Sequence, residues 1–429
     1  MDYQETVHYL FNRLPLFSTQ GAAAYKKDLH NIIALEEYAG NNYRKFKSIH
    51  IAGTNGKGST SHMLAAVLQE AGYTTGLYTS PHLHDFRERI RVNGEMVPED
   101  FVVSFTRSME EAIRVIEPSF FELTVSMAFA WFVQEGVEVA VIETGLGGRL
   151  DSTNIVLPEL SVITNIGMDH MNILGPDLAS IAAEKAGIIK KGVPVVIGEW
   201  NEITRPVFEA KAREMEAPLS LAGQEQVVVD WKKNKSLLEV TVREKERQDA
   251  QLYRLDLTGE YQVRNVRTVL QAVHVLQRAG WSISEQAIHN GLAHAKKLTG
   301  LHGRWEQVSE HPRVILDVAH NEDGVRALLR QLELEDFHHL YIVIGMVKDK
   351  DIGAVLGLLP RQAVYFFTQA KIPRALDATA LAEQAAAAGL QGSVVADVNQ
   401  ALQAAKARAG KNDLVLVCGS VFVVAEVNC

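Results

Sequence analysis

Ten consecutive residues, Ile51-Ala52-Gly53-Thr54-Asn55-Gly56-Lys57-Gly58-Ser59-Thr60, combine the residue types that hold phosphate. Glycines let backbone N–H groups turn inward onto phosphate oxygens, and a helix start adds partial positive charge. Lys57 can reach terminal phosphates, and the hydroxyl of Ser59 or Thr60 can sit on magnesium. The bland alternative is a glycine-rich turn between a strand and a helix. The Gly-Lys-Gly-Ser run and its placement favour nucleotide binding, with Asn55, Gly56, Lys57, Gly58, Ser59 and Thr60 as the contacts. The loop is shorter than the common G-x-x-x-x-G-K-[ST] form, which counts against routine GTPases.

Two further groups stand where strands should end. Residues 139–143 read as a buried strand closing on Glu143, followed by Thr144-Gly145-Leu146-Gly147-Gly148-Arg149-Leu150-Asp151. Ligands of open α/β sheets collect at strand carboxyl ends, where a carboxylate can hold magnesium and glycines admit close backbone approach. Gly145-Leu146-Gly147 is no dinucleotide fingerprint, because the third glycine is missing. His170, in Thr164-Asn165-Ile166-Gly167-Met168-Asp169-His170, also follows a strand. By itself it reads as a structural or surface histidine, and its shared topological position makes it a candidate metal ligand. Lys185 reads by default as a solvated lysine near a helix C-terminus, where its charge is welcome.

These groups need a scaffold, and the chain alternates strand and helix patterns from about residue 48. Strands are expected at 48–52, 74–78, 137–142, 160–164 and 193–197. Helices are expected at 57–71 and 121–134, with others opening at Pro98-Glu99-Asp100 and Pro176-Asp177. Such alternation implies a mostly parallel sheet covered by helices. The charged stretch 231–248, which includes Lys235, reads as an exposed hairpin whose basic residues form a solvated edge. A second strand series follows at 314–316, 341–344, 363–367, 393–396 and 414–417. The division expected is residues 1–299 and residues 300–429, two domains of α/β class, as a chain of 429 residues suggests.

Bulk composition narrows the partners. Net charge of -9 argues against a nucleic-acid binder. Two cysteines, Cys418 and Cys429, supply no disulfide framework and fit a reducing compartment. The start of the chain lacks a signal-peptide pattern and the longest apolar run is too short to span a bilayer. A cytoplasmic monomer with no membrane association is the expectation.

Read together, the motifs resemble the Mur ligase superfamily, and within it the folylpolyglutamate synthase and dihydrofolate synthase family. The resemblance rests on residues 53–59, Thr79-Ser80-Pro81-His82-Leu83, Glu88-Arg89-Ile90, residues 143–151, Asp169-His170 and Glu184-Lys185-Ala186-Gly187-Ile188. It continues through Gly303-Arg304-Trp305-Glu306, Asp317-Val318-Ala319-His320-Asn321 and Gly419-Ser420. It implies a P-loop ATPase domain followed by a smaller Rossmann-like domain. It also implies magnesium at two sites drawn from Ser59, Ser80, Glu143 and His170. Lys185 would be carbamylated, which requires enough burial to lower its pKa. Asn265, Arg304 and Asp317 would contact ATP, with His320 nearby. The acceptor would meet Ser80, Pro81, His82, Arg89, Phe121, Glu122, Asp151, Ser152 and Thr153, and Ser420 would serve substrate in the second domain. The sequence departs from the family at Tyr261, where His often precedes the residue matching Gln262. Without the family, Asp317 could cap a turn and Arg304 could be an ordinary surface arginine.

The reaction so implied transfers the γ-phosphoryl of ATP to a folate or dihydropteroate carboxylate, and the amine of L-glutamate then attacks the acyl phosphate. Lys57, Lys185, Glu143, His170, Asp317 and His320 would be the catalytic set. The rivals are another Mur-type amino-acid ligase and a non-ligase regulatory ATPase.

Overall fold

The computed structural model describes residues 1–16, 28–234 and 236–428. Cys429 and Lys235 therefore lie outside the described residues, and Cys418 is a buried free thiol. The chain divides into two compact units. One comprises Met1–Gly167, Met171–Leu257 and Gln262–Leu301, and the other Met168–His170, Thr258–Tyr261 and His302–Cys429. A single cut at residue 300 thus does not describe the division, because two short segments from earlier in the chain group with the second unit.

The first unit is built on eight strands: β1 Lys47–Ala52, β2 Thr75–Tyr78, β3 Ile90–Val92, β4 Glu95–Met96, β5 Val139–Glu143, β6 Leu160–Ile163, β7 Val195–Ile197 and β8 Leu219–Leu221. Their order is β4-β3-β2-β5-β1-β6-β7-β8. From β2 to β8 all pairings are parallel, and β3 and β4 add an antiparallel edge. β5 shows why its sequence is a continuous apolar run. Val139 and Val141 enter the core beneath the Lys57–Glu70 helix, while Ala140 and Ile142 enter the core beneath the Phe120–Gln134 helix. A parallel strand covered on both faces has no polar side to alternate with.

An antiparallel sheet, β9 Gln226–Asn234, β10 Leu237–Glu244 and β11 Gln251–Leu255, replaces the exposed hairpin expected at 231–248. It starts earlier and carries a third strand. Its alternation does hold where expected, with Leu238, Val240 and Val242 buried in the first unit's core.

Close helix packing steadies the phosphate loop. Gly291, in the Glu285–Ala293 helix, lies so near the Lys57–Glu70 helix that a Cβ would stand 2.6 Å from both the Val67 N and Cα atoms. Helix propensity would favour Ala by ~1 kcal/mol. Overpacking against a backbone that cannot swing aside costs ~1–3 kcal/mol. Gly291→Ala is therefore expected to lower the melting temperature, and a thermal scan showing stabilisation would contradict this packing.

The second unit has strands β12 Glu306–Glu310, β13 Arg313–Leu316, β14 Leu340–Ile344, β15 Val364–Phe367, β16 Gln391–Val394 and β17 Leu414–Cys418. The order is β12-β13-β17-β14-β15-β16, parallel except for the edge strand β12, which no sequence pattern announced. Alternate residues of β14 and β17 (Leu340, Ile342, Ile344, Leu414, Leu416, Cys418) share one core. Among the described residues no helix is long and apolar enough to cross a membrane.

Candidate active site

In the first unit the carboxyl ends of β1, β5, β2 and β6 lead directly into the four segments singled out by the sequence. The register pairs Ile51 with Glu143 and Tyr78 with Ile142, so the loops leaving these strands emerge side by side. The phosphate loop is held from beneath by the segment after β6. Thr54 N donates to Asn165 O at 2.9 Å, Asn55 N to Asn165 Oδ1 at 2.9 Å, and Thr164 Oγ1 to Asn55 O at 2.6 Å. Gly53 must lack a side chain, since a Cβ there would fall 1.9 Å from Thr164 Oγ1. Gly56 has φ of 81° and presses against Asn265, which a Cβ would meet at 2.4 Å.

The Lys57–Glu70 helix then begins with no side chain capping its first turn. Its leading N–H groups are the anion-binding end of a helix dipole. Lys57 Nζ donates to Thr54 O at 3.3 Å, which keeps the ammonium over the loop. Ser59 Oγ accepts from Gln262 Nε2 at 3.1 Å, and Asn265 Nδ2 donates to Gln262 Oε1 at 2.8 Å. Gln262 thus joins the phosphate loop to Asn265, a role that sequence reasoning missed. The Thr60 hydroxyl is buried and lacks a partner among the described residues.

Glu143 is 4% exposed, and one of its oxygens accepts from Ser80 N at 3.3 Å. Two of the four expected metal ligands are therefore neighbours. Among the described residues no three His, Cys, Asp or Glu stand together as a metal cluster. A carboxylate with hydroxyls of Ser59 and Ser80 offers hard oxygen donors, which fit magnesium whose shell is completed by phosphate and water. Lys185 is not the solvated lysine of its default reading. It is 4% exposed, and its Nζ donates to Gly53 O at 2.8 Å.

The loop at 82–89 is folded by Glu88, whose carboxylate accepts from Leu83 N, His84 N and Asp85 N at 2.7–3.0 Å. Arg89 is buried, donates from Nε to His82 Nδ1 at 2.8 Å, and lies over the Phe120 ring. Burial, then the Arg89 charge, pushes the His82 imidazole down to about 3, so it is neutral at physiological pH. Pro81 sits in the turn between Ser80 and this loop. Phe121 packs on Gly145. Glu122 is occupied structurally: Ser119 N donates to it at 2.6 Å in a capping box that starts its helix. Asp151 also serves its own turn, accepting from Leu146 N at 2.8 Å and Thr153 N at 3.0 Å, with Ser152 between.

The second unit collects its own polar set at the carboxyl ends of β13, β17 and β14. Asp317 is buried and accepts from Tyr261 Oη at 2.7 Å, Trp305 N at 2.9 Å and Ala319 N at 2.9 Å. Burial pushes its carboxyl up, and these bonds with the nearby Arg304 charge oppose that shift. Where the family often has His, this chain supplies a phenol that donates to Asp317. His320 Nδ1 bonds Val318 O at 2.9 Å, leaving Nε2 3.4 Å from Asp169 Oδ2. Asp169 also takes Lys350 Nζ and accepts from Asn321 Nδ2 at 3.1 Å. Burial would raise the Asp169 carboxyl, yet the His320 bond and the charges of His170 and Lys350 hold it far below the carboxylate range. His170 has φ of 51° and lies 3.5 Å from Lys350 Nζ through Nε2. Sequence reasoning missed Lys350, whose only signal was the charged run at 348–351, separated from β14 by three residues. Ser420 caps the short Val421–Ala425 helix, and Gly419 N donates to Ala319 O at 3.0 Å.

Residues 51–273 match the Mur ligase middle domain, and residues 303–421 the Mur ligase glutamate ligase domain. A Bacillus subtilis dihydrofolate synthase/folylpolyglutamate synthase is 32% identical, covering 99% of this chain and 98% of its own length. The chain belongs to the folylpolyglutamate synthase/dihydrofolate synthase family of Mur ligases. It is accordingly an ATP-dependent ligase, as the sequence motifs implied. The Escherichia coli member is 38% identical over 88% of this chain and 85% of its own. The chain spans half the length of a Haloferax volcanii relative, a probable bifunctional folylpolyglutamate synthase/dihydropteroate synthase, at 34% identity over 99% of this chain. Among solved structures, E. coli FolC in complex with DHPP and ADP is 33% identical with a TM-score of 0.85, covering 99% of this chain and 96% of that one. A bifunctional folylpolyglutamate synthase/dihydrofolate synthase with Mn, AMPPNP and L-glutamate bound is 31% identical with a TM-score of 0.83, covering 99% and 97%. The expected family and α/β fold are thus borne out.

Proposed function

We propose that the protein joins L-glutamate to dihydropteroate and to the glutamyl tail of tetrahydrofolate, spending ATP through an acyl-phosphate intermediate. The observation that carries this is the uncapped start of the Lys57–Glu70 helix, with Lys57 over the loop and the adjoining Glu143–Ser80 pair. Relatives crystallised with ADP, with AMPPNP and manganese, and with L-glutamate support the same cofactors here, ATP and a divalent cation.

Phosphoryl transfer is mostly positioning and charge neutralisation. The loop N–H groups, Lys57 and Ser59 orient the phosphates, with Asn265 against the loop at Gly56. A divalent cation on Ser59, Ser80 and Glu143 would neutralise charge on the transferring group. The acceptor lies against His82, Arg89, Phe121 and Asp151–Thr153, with its carboxylate aimed at the γ-phosphorus. Oxygen attack there forms the acyl phosphate and releases ADP. The glutamate amine then attacks the acyl carbon, the amide forms, and phosphate leaves with the former carboxylate oxygen. His320 and Ser420 are assigned to the glutamate step.

The test is a paired assay with Mg-ATP and L-glutamate, offering dihydropteroate or tetrahydrofolate and reading products by mass. A gain of one glutamyl unit on both acceptors is expected. A gain on one alone would reduce the proposal to that activity. No product, with ATP intact, would return the acceptor to the wider Mur ligases, and ATP hydrolysis independent of glutamate would favour a regulatory ATPase.

A further inference from the structure

His50 lies on β1, three residues before Gly53, and is 0% exposed. No step above uses it. Its register partners are Ile142 on β5 and Ser161 on β6, so it sits in the middle of the sheet, where a polar ring needs a reason to be. Its Nε2 stands 2.8 Å from Thr153 Oγ1, and Thr153 Oγ1 stands 2.5 Å from Asp151 Oδ1.

Both Asp151 oxygens accept backbone N–H groups, Oδ1 from Thr153 and Oδ2 from Leu146, bonds that with the Thr153 hydroxyl oppose the upward push of burial on this carboxyl. The Thr153 hydroxyl has one proton and donates it to Oδ1. Its oxygen must then accept, so His50 carries its proton on Nε2. The His50 Nδ1 atom is buried without a partner among the described residues, which suits a bare, neutral nitrogen and no proton there. Burial, reinforced by the Lys190 charge, pushes the ring down to about 3, in keeping with that tautomer.

We propose that His50 is a positioning residue for the acceptor: through Thr153 it fixes the carboxylate of Asp151 and the turn at 151–153 against which the acceptor rests. This rests on the reading of Asp151–Thr153 as acceptor-binding. Leu or Val at these positions removes one link of the chain His50 Nε2–H to Thr153 Oγ–H to Asp151 Oδ1. Gln can return a donor to nearly the place of Nε2.

The experiment compares His50→Leu, His50→Gln, Thr153→Val and Asp151→Asn with the unmodified enzyme. Steady-state KM is measured separately for dihydropteroate and ATP, and thermal melting is recorded for each variant. His50→Leu and Thr153→Val are expected to raise the dihydropteroate KM by ~10-fold, the effect of one lost buried hydrogen bond, with the ATP KM changed less than about twofold. His50→Gln should recover most of that loss, and the Leu/Val double variant should be no worse than either single one. Equal shifts in both KM values, or His50→Gln as impaired as His50→Leu, would reduce His50 to a packing role and overturn the inference. Should His50→Leu fail to fold, His50→Gln and Thr153→Val decide it, an unchanged dihydropteroate KM in Thr153→Val overturning it. Asp151→Asn separates the two readings. If it weakens dihydropteroate while Thr153→Val does not, the His50 inference alone fails. If Asp151→Asn itself leaves dihydropteroate unaffected, the acceptor pocket was misassigned and the inference falls with it.

Discussion

Lys57→Ala is expected to abolish glutamate ligation while leaving the fold intact. Removing a single preorganised charge-stabilising donor costs about 10²–10³-fold in turnover. A cation on the transferring phosphoryl group should lie at or above the top of that range, because phosphoryl transfer has little other catalysis to draw on. Stability should hardly change. Lys57 opens its helix, is only half-buried, and makes its hydrogen bond to Thr54 O within the same loop. Its removal therefore leaves no charge unpaired in a core. The check is ATP consumption and mass-resolved product together with a melting curve. Unchanged ATP consumption would sink the phosphate-loop assignment, and a collapsed melting curve would show that Lys57 has a structural role this geometry does not contain.

The parts of this molecule that could be read beforehand are those where local chemistry and period agree. β5 and β7 announce themselves because a strand buried on both faces is a run of apolar residues, β1 and β6 do so despite Ser48, His50 and Ser161, and each stops where a polar, glycine-containing loop begins. The phosphate loop is legible for the same reason, its glycines, lysine and hydroxyls being contiguous. β12 was invisible: Glu306-Gln307-Val308-Ser309-Glu310 is an antiparallel edge with water on one side and no apolar run. β16, Gln391–Val394, is another largely exposed edge, and the pattern placed it two residues late. In the site, what escaped were partnerships across long stretches of chain. Asp169 and Lys350 are 181 residues apart, and His50 and Thr153 are 103 apart. Each side chain alone looks ordinary, and only the folded chain brings it to its partner. Glu122 has a structural reason to be where it is, since a capping box uses an acid in the first turn whether or not a ligand is near.

Lys185 carries the second large expected effect, and its chemistry is decided by what its nitrogen can do where the fold puts it. The helix Leu178–Ala186 ends against the loop after β5: Arg149 N donates to Glu184 O at 2.8 Å, and a Cβ on Gly148 would lie 2.8 Å from Lys185 O. That packing brings Nζ to Gly53 O, 132 residues away in sequence, at the base of the phosphate loop. A neutral amine there can add to carbon dioxide, forming an N–C bond and losing one proton. The resulting carbamate nitrogen keeps one hydrogen, so the bond to Gly53 O survives the conversion while the tip becomes an anion able to support a divalent cation. Lys185→Ala is expected to lower ligation by about 10²-fold or more, the scale of a lost preorganised electrostatic group. The chemical form is then read by rescue. Added short-chain carboxylic acid should restore part of the activity if the working group is the carbamate, because it returns the anion. Added alkylamine should restore it if the working group is the ammonium, because it returns only the donor to Gly53 O. Restoration by amine and not by acid would retire the carbamate, and full activity without any addition would remove Lys185 from the site.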